Sequence, residues 1–423
     1  MSVLRSSVLT ADVAVVGGGV AGSSVAAALA QAGLGVVLVE REARFRDRVR
    51  GESIHPWGVK QIGGLGLLDV VRAAGAQALP IAQVYVERAP TGGVRWDSAD
   101  PGSPGEWSVY HPALQSALLE FARDCGVRVL RPARVTQFTR ATDLRLDVTT
   151  EQADYEVRAR LVVGAEGRQS AARRWVGAEV VQDPVHHQVG GCLLDGVALA
   201  EDTFHAAGFT GGVVLIFPQG AGRARVYLIA NESIVAPLRG HEHVAEFIGQ
   251  CAAIFPEGAF EDACASGPLA FYPNADVWSD RLCDDRVVLI GDAAGANDPS
   301  VGQGLSLCFR DAGELRDELL GDSNWDAALM AYAARRMEYF SVLRSYAHWR
   351  ALLTTDIGPE ADTRRAGAMR AAERDPGLGG FNRWNFLSHG PSGLVADEAA
   401  RSHYFGEDLD ETSAMVQITP ALQ

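Results

Sequence analysis

The chain has 423 residues, of which 47% are hydrophobic and 22% charged, and it carries a formal net charge of −15. That length supports two or three hydrophobic cores, and the acidic surplus argues against a nucleic-acid groove or an anionic membrane surface as partner. Cys125, Cys192, Cys251, Cys264, Cys283 and Cys308 are scattered without a C-x-x-C pair, which reads as reduced thiols, with neither a disulfide framework nor a metal site. MSVLRSSVLT has no apolar run of signal-peptide length, and no stretch reaches the roughly 18 apolar residues of a membrane span. A cytoplasmic protein is the expectation.

In chain order, residues 11–16 (ADVAVV) predict a strand, residues 20–33 a helix of small apolar residues, and residues 36–39 a second strand. Between the first two lie Gly17, Gly19 and Gly22, with the G-x-G-x-x-G spacing of a dinucleotide site. The first glycine makes the turn, the second lets the backbone approach a pyrophosphate, and the third lets helix and strand pack closely. Val20 and Ala21 open the helix, whose free N–H groups and dipole suit phosphate. Glu40, 18 residues after Gly22, is placed to accept ribose hydroxyls, and Arg41 follows it. An acid there disfavours a 2′-phosphate, so FAD or NAD fits better than NADP.

Residues 51–58 (GESIHPWG) form a loop, and residues 59–75 predict one helix despite their glycines. Residues 80–110 hold short strands, 111–125 a helix, 127–130 a strand and 134–160 a meander. The buried strand 161–163 runs into Gly164-Ala165-Glu166-Gly167. Residues 185–275 read as a separate antiparallel sheet with one helix near 242–254. Residues 286–290 are another buried strand, ending in Gly291-Asp292. A long helical stretch follows from 302 to 353, and the last seventy residues read as irregular, rich in Pro, Gly and aromatics.

Gly291-Asp292 stands at the C-terminal end of a strand, where open α/β sheets bind ligands, and Asp292 is suited to a polyol hydroxyl. Pro299, Gly302, Gln303 and Gly304 then lead into a helix, so backbone donors and the helix dipole face an anionic ring edge.

The glycine turn, the Gly164–Ser170 turn and the Gly291-Asp292 motif, in this order and at these separations, resemble the FAD-dependent monooxygenases of the p-hydroxybenzoate hydroxylase type, whose fold is shared by flavin halogenases and geranylgeranyl reductases. The resemblance spans about residues 10–345. It implies an α/β protein with a Rossmann-like FAD-binding domain made of 1–75, 105–180 and 281–350, an antiparallel-sheet substrate domain made of 76–104 and 181–280, and a C-terminal helical and irregular extension, 351–423. It implies FAD contacts at Glu166, where the family usually has aspartate, and at His111, where it usually has arginine. It also places Arg50, Glu52, Ser53 and His55 near the flavin ring.

No second dinucleotide turn is present, so the resemblance implies that NAD(P)H docks transiently as reductant or that a separate reductase supplies reduced flavin. O2 then adds to the reduced flavin to give a C4a-hydroperoxide that oxygenates an aromatic or polyketide-like small molecule. Halogenation is disfavoured: no two tryptophans lie two residues apart, so the Trp-x-Trp-x-Ile-Pro stretch is missing, and Lys60 is the only lysine. Phe217-Pro218 also fits the double-bond reductases, and a flavin-binding protein without turnover is the non-enzymatic alternative. Candidate acid–base residues are His55, His389 and His403, because imidazole titrates near neutrality. His186-His187 reads as strand or loop. The tail segment 380–391 is either a packed extension or a wall of the substrate pocket.

Overall fold

The computed structural model describes residues 7–408; residues 1–6 and 409–423, parts of the expected flavin-binding and C-terminal segments, lie outside the described residues. The strand Ser7–Val16 sits inside an eight-stranded sheet of order Cys283–Asp284, Val287–Leu289, Asp154–Gly164, Ser7–Val16, Val36–Val39, Arg128–Leu130. From Val287–Leu289 to Arg128–Leu130 every neighbouring pair is parallel. Ala133–Arg140 and Leu144–Thr150 extend Asp154–Gly164 as an antiparallel meander. Parallel strands are covered on both faces and so read as unbroken apolar runs; the four residues Val36–Val39 are all buried.

Helix Val20–Gln31 buries ten of its 12 residues between this sheet and the helices His111–Asp124 and Gly304–Gly321. Only small side chains let three layers close so tightly. A Cβ at Gly22 would collide with the Gly17 carbonyl oxygen and the Ala165 methyl.

The second large sheet has the order Cys264–Ala265, Gln188–Asp195, Arg223–Ala230, Gly212–Gly220, Thr203–Phe209, Ile81–Val86, Ala89–Arg95. It is antiparallel, as expected, except that Ile81–Val86 runs parallel to Thr203–Phe209. That strand arrives from a distant part of the chain, so no hairpin dictates its direction. Its two faces serve different purposes through the two-residue period of a strand. Val226 and Leu228 pack under helix Val244–Ala252 with Phe247 and Cys251. Tyr227 and Ile229 face the other way, with Phe204, Leu215 and Phe217.

Three helical expectations change. Residues 59–75 break into Pro56–Gly64 and Leu68–Ala73, with Gly66 at φ +70° between them, a left-handed turn that glycine makes without strain. The stretch 302–353 is two helices, Gly304–Gly321 and Trp325–Thr354, the second capped by the Asn324 side chain accepting from the Ala327 N–H. The tail is mostly helical rather than irregular: Pro359–Arg374, Arg383–His389 and Glu398–Phe405. Local cues were present, since Asn382 and Asp397 cap the last two, but their apolar faces are short. The aromatics supply the packing: Tyr346 stacks on Phe386 at 3.8 Å, and Trp349 meets Phe381 at 5.1 Å and Tyr404 at 5.4 Å. No described helix is long and apolar enough to cross a membrane.

Candidate cofactor and substrate site

Three turns meet at the C-terminal ends of the parallel strands. The Gly17 N–H donates to Val39 O (2.8 Å), the Ala165 N–H to Val16 O (2.7 Å) and the Ile290 N–H to Gly164 O (3.0 Å). Gly17 has φ +105°, and a Cβ there would press on the Ala165 carbonyl. Gly19 is different: a Cβ there would meet nothing nearer than the Gln115 side chain, 3.8 Å away. The first turn of the helix at Val20 and Ala21 has no side-chain cap, so its donors face that open space. Buried Glu40 is clamped at the end of its strand, accepting from the Gly18 N–H (2.6 Å) and the Glu42 N–H (2.6 Å). Arg41 is exposed, 3.6 Å from Glu42.

Opposite lies Gly291–Ala293, a short 3-10 turn. The Gly291 N–H donates to Asp311 (2.8 Å), and the Asp292 and Ala293 carbonyls accept from Arg173 (2.7 and 2.8 Å). With its backbone held, half-buried Asp292 presents a carboxylate that accepts no hydrogen bond from any described residue. Burial pushes it above the usual carboxylate range, opposed by Arg168, Arg50, Arg336 and Arg173.

Several expected site residues instead turn their side chains inward. The Glu166 carboxylate accepts from Ser170 Oγ (2.7 Å) and the amides of Ala172 (3.0 Å) and Ala171 (3.3 Å), which ties down its own turn. Gln303 is fully buried, accepting from Trp57 Nε1 (3.0 Å) and donating to Val301 O (3.0 Å). That bond braces the loop Pro299–Val301, where Gly302 has φ +66° and a Cβ would lie 2.9 Å from His55 Nε2. Gly304 opens the next helix with nothing within 4 Å of where a Cβ would stand. His111 Nδ1 lies 2.9 Å from Gly51 O, so it donates there, and burial holds its pKa below the usual imidazole range.

The Gly-Glu-Ser-Ile-His segment spreads over two sites. Arg50 is exposed and lies over the Tyr272 ring at 5.5 Å. Glu52 is buried among Tyr227, whose hydroxyl donates to it, and Arg225, 3.2 Å away, which also pairs with Asp47 at 2.6 Å. Two carboxylates share one guanidinium. Burial, with Asp47 adding to it, pushes Glu52 up to about 7 from 4.5 against the pull of Arg225 and Tyr227. The folded protein therefore keeps a proton that the unfolded chain loses. This contribution to stability is full below the unfolded value and is lost as pH rises through 7. Relative to Glu52→Gln, the native protein is expected to lose on the order of 1 kcal/mol between about pH 5 and pH 8. Parallel thermal unfolding of the two proteins measures it. A difference that stays constant over that range contradicts the protonation assigned to Glu52.

Ser53 stands behind His55, hydrogen-bonded to Glu106, and His55 itself belongs to the second place, a cavity open to solvent. The sheet face lines it with Phe204, Leu215, Phe217 and Ile229, and the loop with Val301 and Gly302. His55 Nε2 lies 2.9 Å from Val301 O, and a carbonyl only accepts, so Nε2 carries a proton. His55 Nδ1 is 3.2 Å from Glu106 Oε1, to which Ser53 Oγ also donates. Ser53 Oγ also lies 3.5 Å from Nδ1, so the hydroxyl stands between the imidazole and the carboxylate. On the same cavity, His187 Nε2 is 3.5 Å from Asp298 Oδ2. Burial acts to raise Asp298, but His187, the Ser300 amide and Asn274 outweigh it and hold it below the usual carboxylate range.

Two expected acid–base candidates are not in the cavity. His389 ends its helix exposed, facing Asp100 at 4.0 Å and bonded to Asn385 O at 3.1 Å. His403 is held between Asp375 (3.0 Å) and Asp408 (3.2 Å) on the last helix. Sequence reasoning missed His187, Arg350 and Arg383, which do line it. A histidine in a loop and two arginines in separate helices have no local spacing that marks them. Of the tail segment 380–391, read as either a packed extension or a pocket wall, Phe381 and Phe386 pack on Tyr346 while Arg383 and Leu387 line this cavity.

The space before Gly19, the free Asp292 carboxylate and the open start of the helix at Gly304 suit an adenine dinucleotide with a ring system at its far end. The family model described as FAD binding domain matches residues 10–339. Digeranylgeranylglycerophospholipid reductase 2 of Methanopyrus kandleri is 29% identical over 79% of this chain and 84% of its own length. Ubiquinone hydroxylase UbiL of Rhodospirillum rubrum is 28% identical over 86% of each chain. Among solved structures, Pseudomonas aeruginosa PqsL in complex with 2-aminobenzoylacetate shares the fold, with a TM-score of 0.70 at 23% identity over 82% of this chain and 97% of that one. The strand-end turns and these matches agree: the chain belongs to the FAD binding domain family and is a flavin-dependent oxidoreductase, with FAD as its cofactor.

Proposed function

We propose that the enzyme inserts one atom of O2 into an aromatic or polyketide-like small molecule held in the cavity between the antiparallel sheet and the loop Pro299–Val301. The observation that carries this reading is the cavity itself. It is apolar along the sheet, and at the loop it meets the His55 imidazole, which donates from Nε2 to Val301 O beside Gly302. Gly17, Gly19, Val20, Ala21, Gly22 and Glu40 would hold the adenosine and pyrophosphate end of FAD, with Asp292 on its polyol chain and the backbone of Gly302 to Gly304 along its ring. Arg50 and His111 would flank the same cleft. Bound there and reduced by NAD(P)H, the family's usual reductant, FAD supplies electrons and the activation of O2. The chain's own residues do the rest. Phe204, Phe217 and Ile229 exclude water and orient the substrate face. His55, held by Ser53 and Glu106, presents its ring at the loop side of the cavity, and His187–Asp298 offers a second imidazole for a substrate hydroxyl. In this reading the flavin-binding part draws on 1–75, 105–180 and 281–350, and the substrate part on 76–104 and 181–280.

Reduction of an isoprenoid-like double bond is the second reading, favoured by the 29% identity to the Methanopyrus kandleri reductase. Oxygen labelling separates the two. Substrates are first found by screening aromatic acids and phenols for oxygen-coupled NAD(P)H oxidation, and turnover is then repeated under heavy-isotope O2. A product with one heavy oxygen atom is expected. A hydrogenated product without oxygen uptake would overturn monooxygenation in favour of the reductase reading.

A further inference from the structure

Two guanidiniums from the C-terminal helices line the cavity. Arg350 lies on the last turns of helix Trp325–Thr354, one turn from Tyr346 and one from Thr354, and Arg383 opens helix Arg383–His389; all four line the cavity. Both arginines are half-buried, and among the described residues neither makes an ion pair. Among the other enclosed arginines described, Arg225 is paired with Asp47 and Glu52 and Arg336 with Asp311, while Arg173 is held by three backbone carbonyls. Among the described residues Arg350 has the Tyr404 hydroxyl as its polar side-chain partner. Arg383 lies over the faces of Phe204 at 5.3 Å and Trp384 at 5.2 Å.

Burial, and then the neighbouring charge of Arg350, push Arg383 down to about 10. It stays charged at neutral pH all the same. Two like charges are thus held near each other in a partly dehydrated site; among the described residues the one carboxylate that acts on Arg383 is Glu106, which makes no ion pair with it and already faces His55 at 3.2 Å. Such an arrangement is costly unless a counter-charge arrives from outside. A planar carboxylate matches the guanidinium fork, and two forks converging on one acid give orientation as well as affinity. The sheet side of the same cavity is Phe204, Leu215, Phe217 and Ile229, so the body of the ligand is apolar.

The geometry points to Arg350 and Arg383 as the acid-binding end of the substrate site, and so to an aromatic or otherwise apolar carboxylic acid as substrate. This rests on the monooxygenase reading for what happens at the other end of the molecule, but not for the binding itself.

The test is binding to the FAD-loaded protein. Benzoate, cinnamate and naphthoate are each titrated beside their primary amides, which keep the shape and remove the charge, with calorimetry and the flavin absorbance as readouts. The best acid is expected to bind at least about tenfold more tightly than its amide. Arg350→Met and Arg383→Met, which keep the length of the stem, should each abolish that preference without weakening the amide, and Arg→Lys should restore part of it. Flavin content and circular dichroism confirm that each variant is folded. Equal affinity of the native protein for acid and amide overturns the proposal without any variant being needed. So does the absence of binding by all three acids, or an acid preference that survives both Met substitutions. Acid preference without oxygen incorporation would defeat the monooxygenase reading alone. Oxygen incorporation into neutral substrates without acid preference would defeat the acid site alone.

Discussion

Gly19→Val is expected to give a folded, colourless protein. Three glycines share the turn, but they do different physical work. At Gly17 a Cβ would press on the Ala165 carbonyl with φ already at +105°, and at Gly22 it would strike the Gly17 carbonyl oxygen. Substitutions at those two positions break the contact of helix and sheet, so flavin lost from them would say little about binding. At Gly19 the added atoms meet open space, with Gln115 the nearest neighbour at 3.8 Å. The fold tolerates them, and only a ligand laid across the first turn does not. FAD affinity is therefore expected to fall by at least about a hundredfold, ~2.7 kcal/mol, while circular dichroism and the unfolding midpoint of the apoprotein stay those of the native apoprotein. Titration of apoprotein with FAD measures the first and denaturant unfolding the second. Native affinity in a folded variant would move the cofactor away from this turn.

Arg336→Met should be the most destabilising single substitution among the described ion pairs. Arg336 and Asp311 lie 3.0 Å apart with side chains 1% and 0% exposed. Asp311 also accepts from the Gly291 N–H and from Tyr339 Oη, and Arg336 donates to Gly295 O at 3.1 Å. The pair thus ties the helices Gly304–Gly321 and Trp325–Thr354 to the strand end that carries Asp292. Methionine keeps much of the volume against Phe340 but leaves a carboxylate uncompensated in the core. A loss of about 3–5 kcal/mol is expected. The neighbouring Arg335→Met, half-exposed over Glu314 and Glu318, should cost less than about 1 kcal/mol. Because Asp311 also holds the Gly291 amide, flavin affinity should weaken in Arg336→Met and not in Arg335→Met. Urea unfolding of both variants beside the native protein decides it. Similar losses from the two would mean that Asp311 is stabilised by its other donors alone.

Motifs whose chemistry is local were legible in the chain. A turn that needs φ above zero needs glycine, so Gly17 shows itself, and a buried parallel strand needs an unbroken apolar run, so residues 13–16, 36–39 and 161–163 show themselves. Side-chain direction was less legible. Glu166 and Gln303 stand in the expected motifs, yet hydrogen bonds to their own turn and loop draw both inward, because a free amide or an indole N–H within reach competes for the same oxygen. The tail was read as irregular because its helices are short and depend on partners in helix Trp325–Thr354 that no local pattern reveals.

The sequence by itself determined the dinucleotide turn, the strand ends that carry Gly291 and Asp292, the flavin family and the antiparallel character of most of the second sheet, since each depends on backbone conformation or on a period of two residues. Only the tertiary structure decided what lines the cavity. His55 meets Glu106 across 51 positions, counting from the two residue numbers, His187 meets Asp298, and Arg350 and Arg383 converge from separate helices. Charge and hydrogen bonding act over a few ångströms, and which residues come that close is set by how sheets and helices pack, which spacing along the chain does not encode.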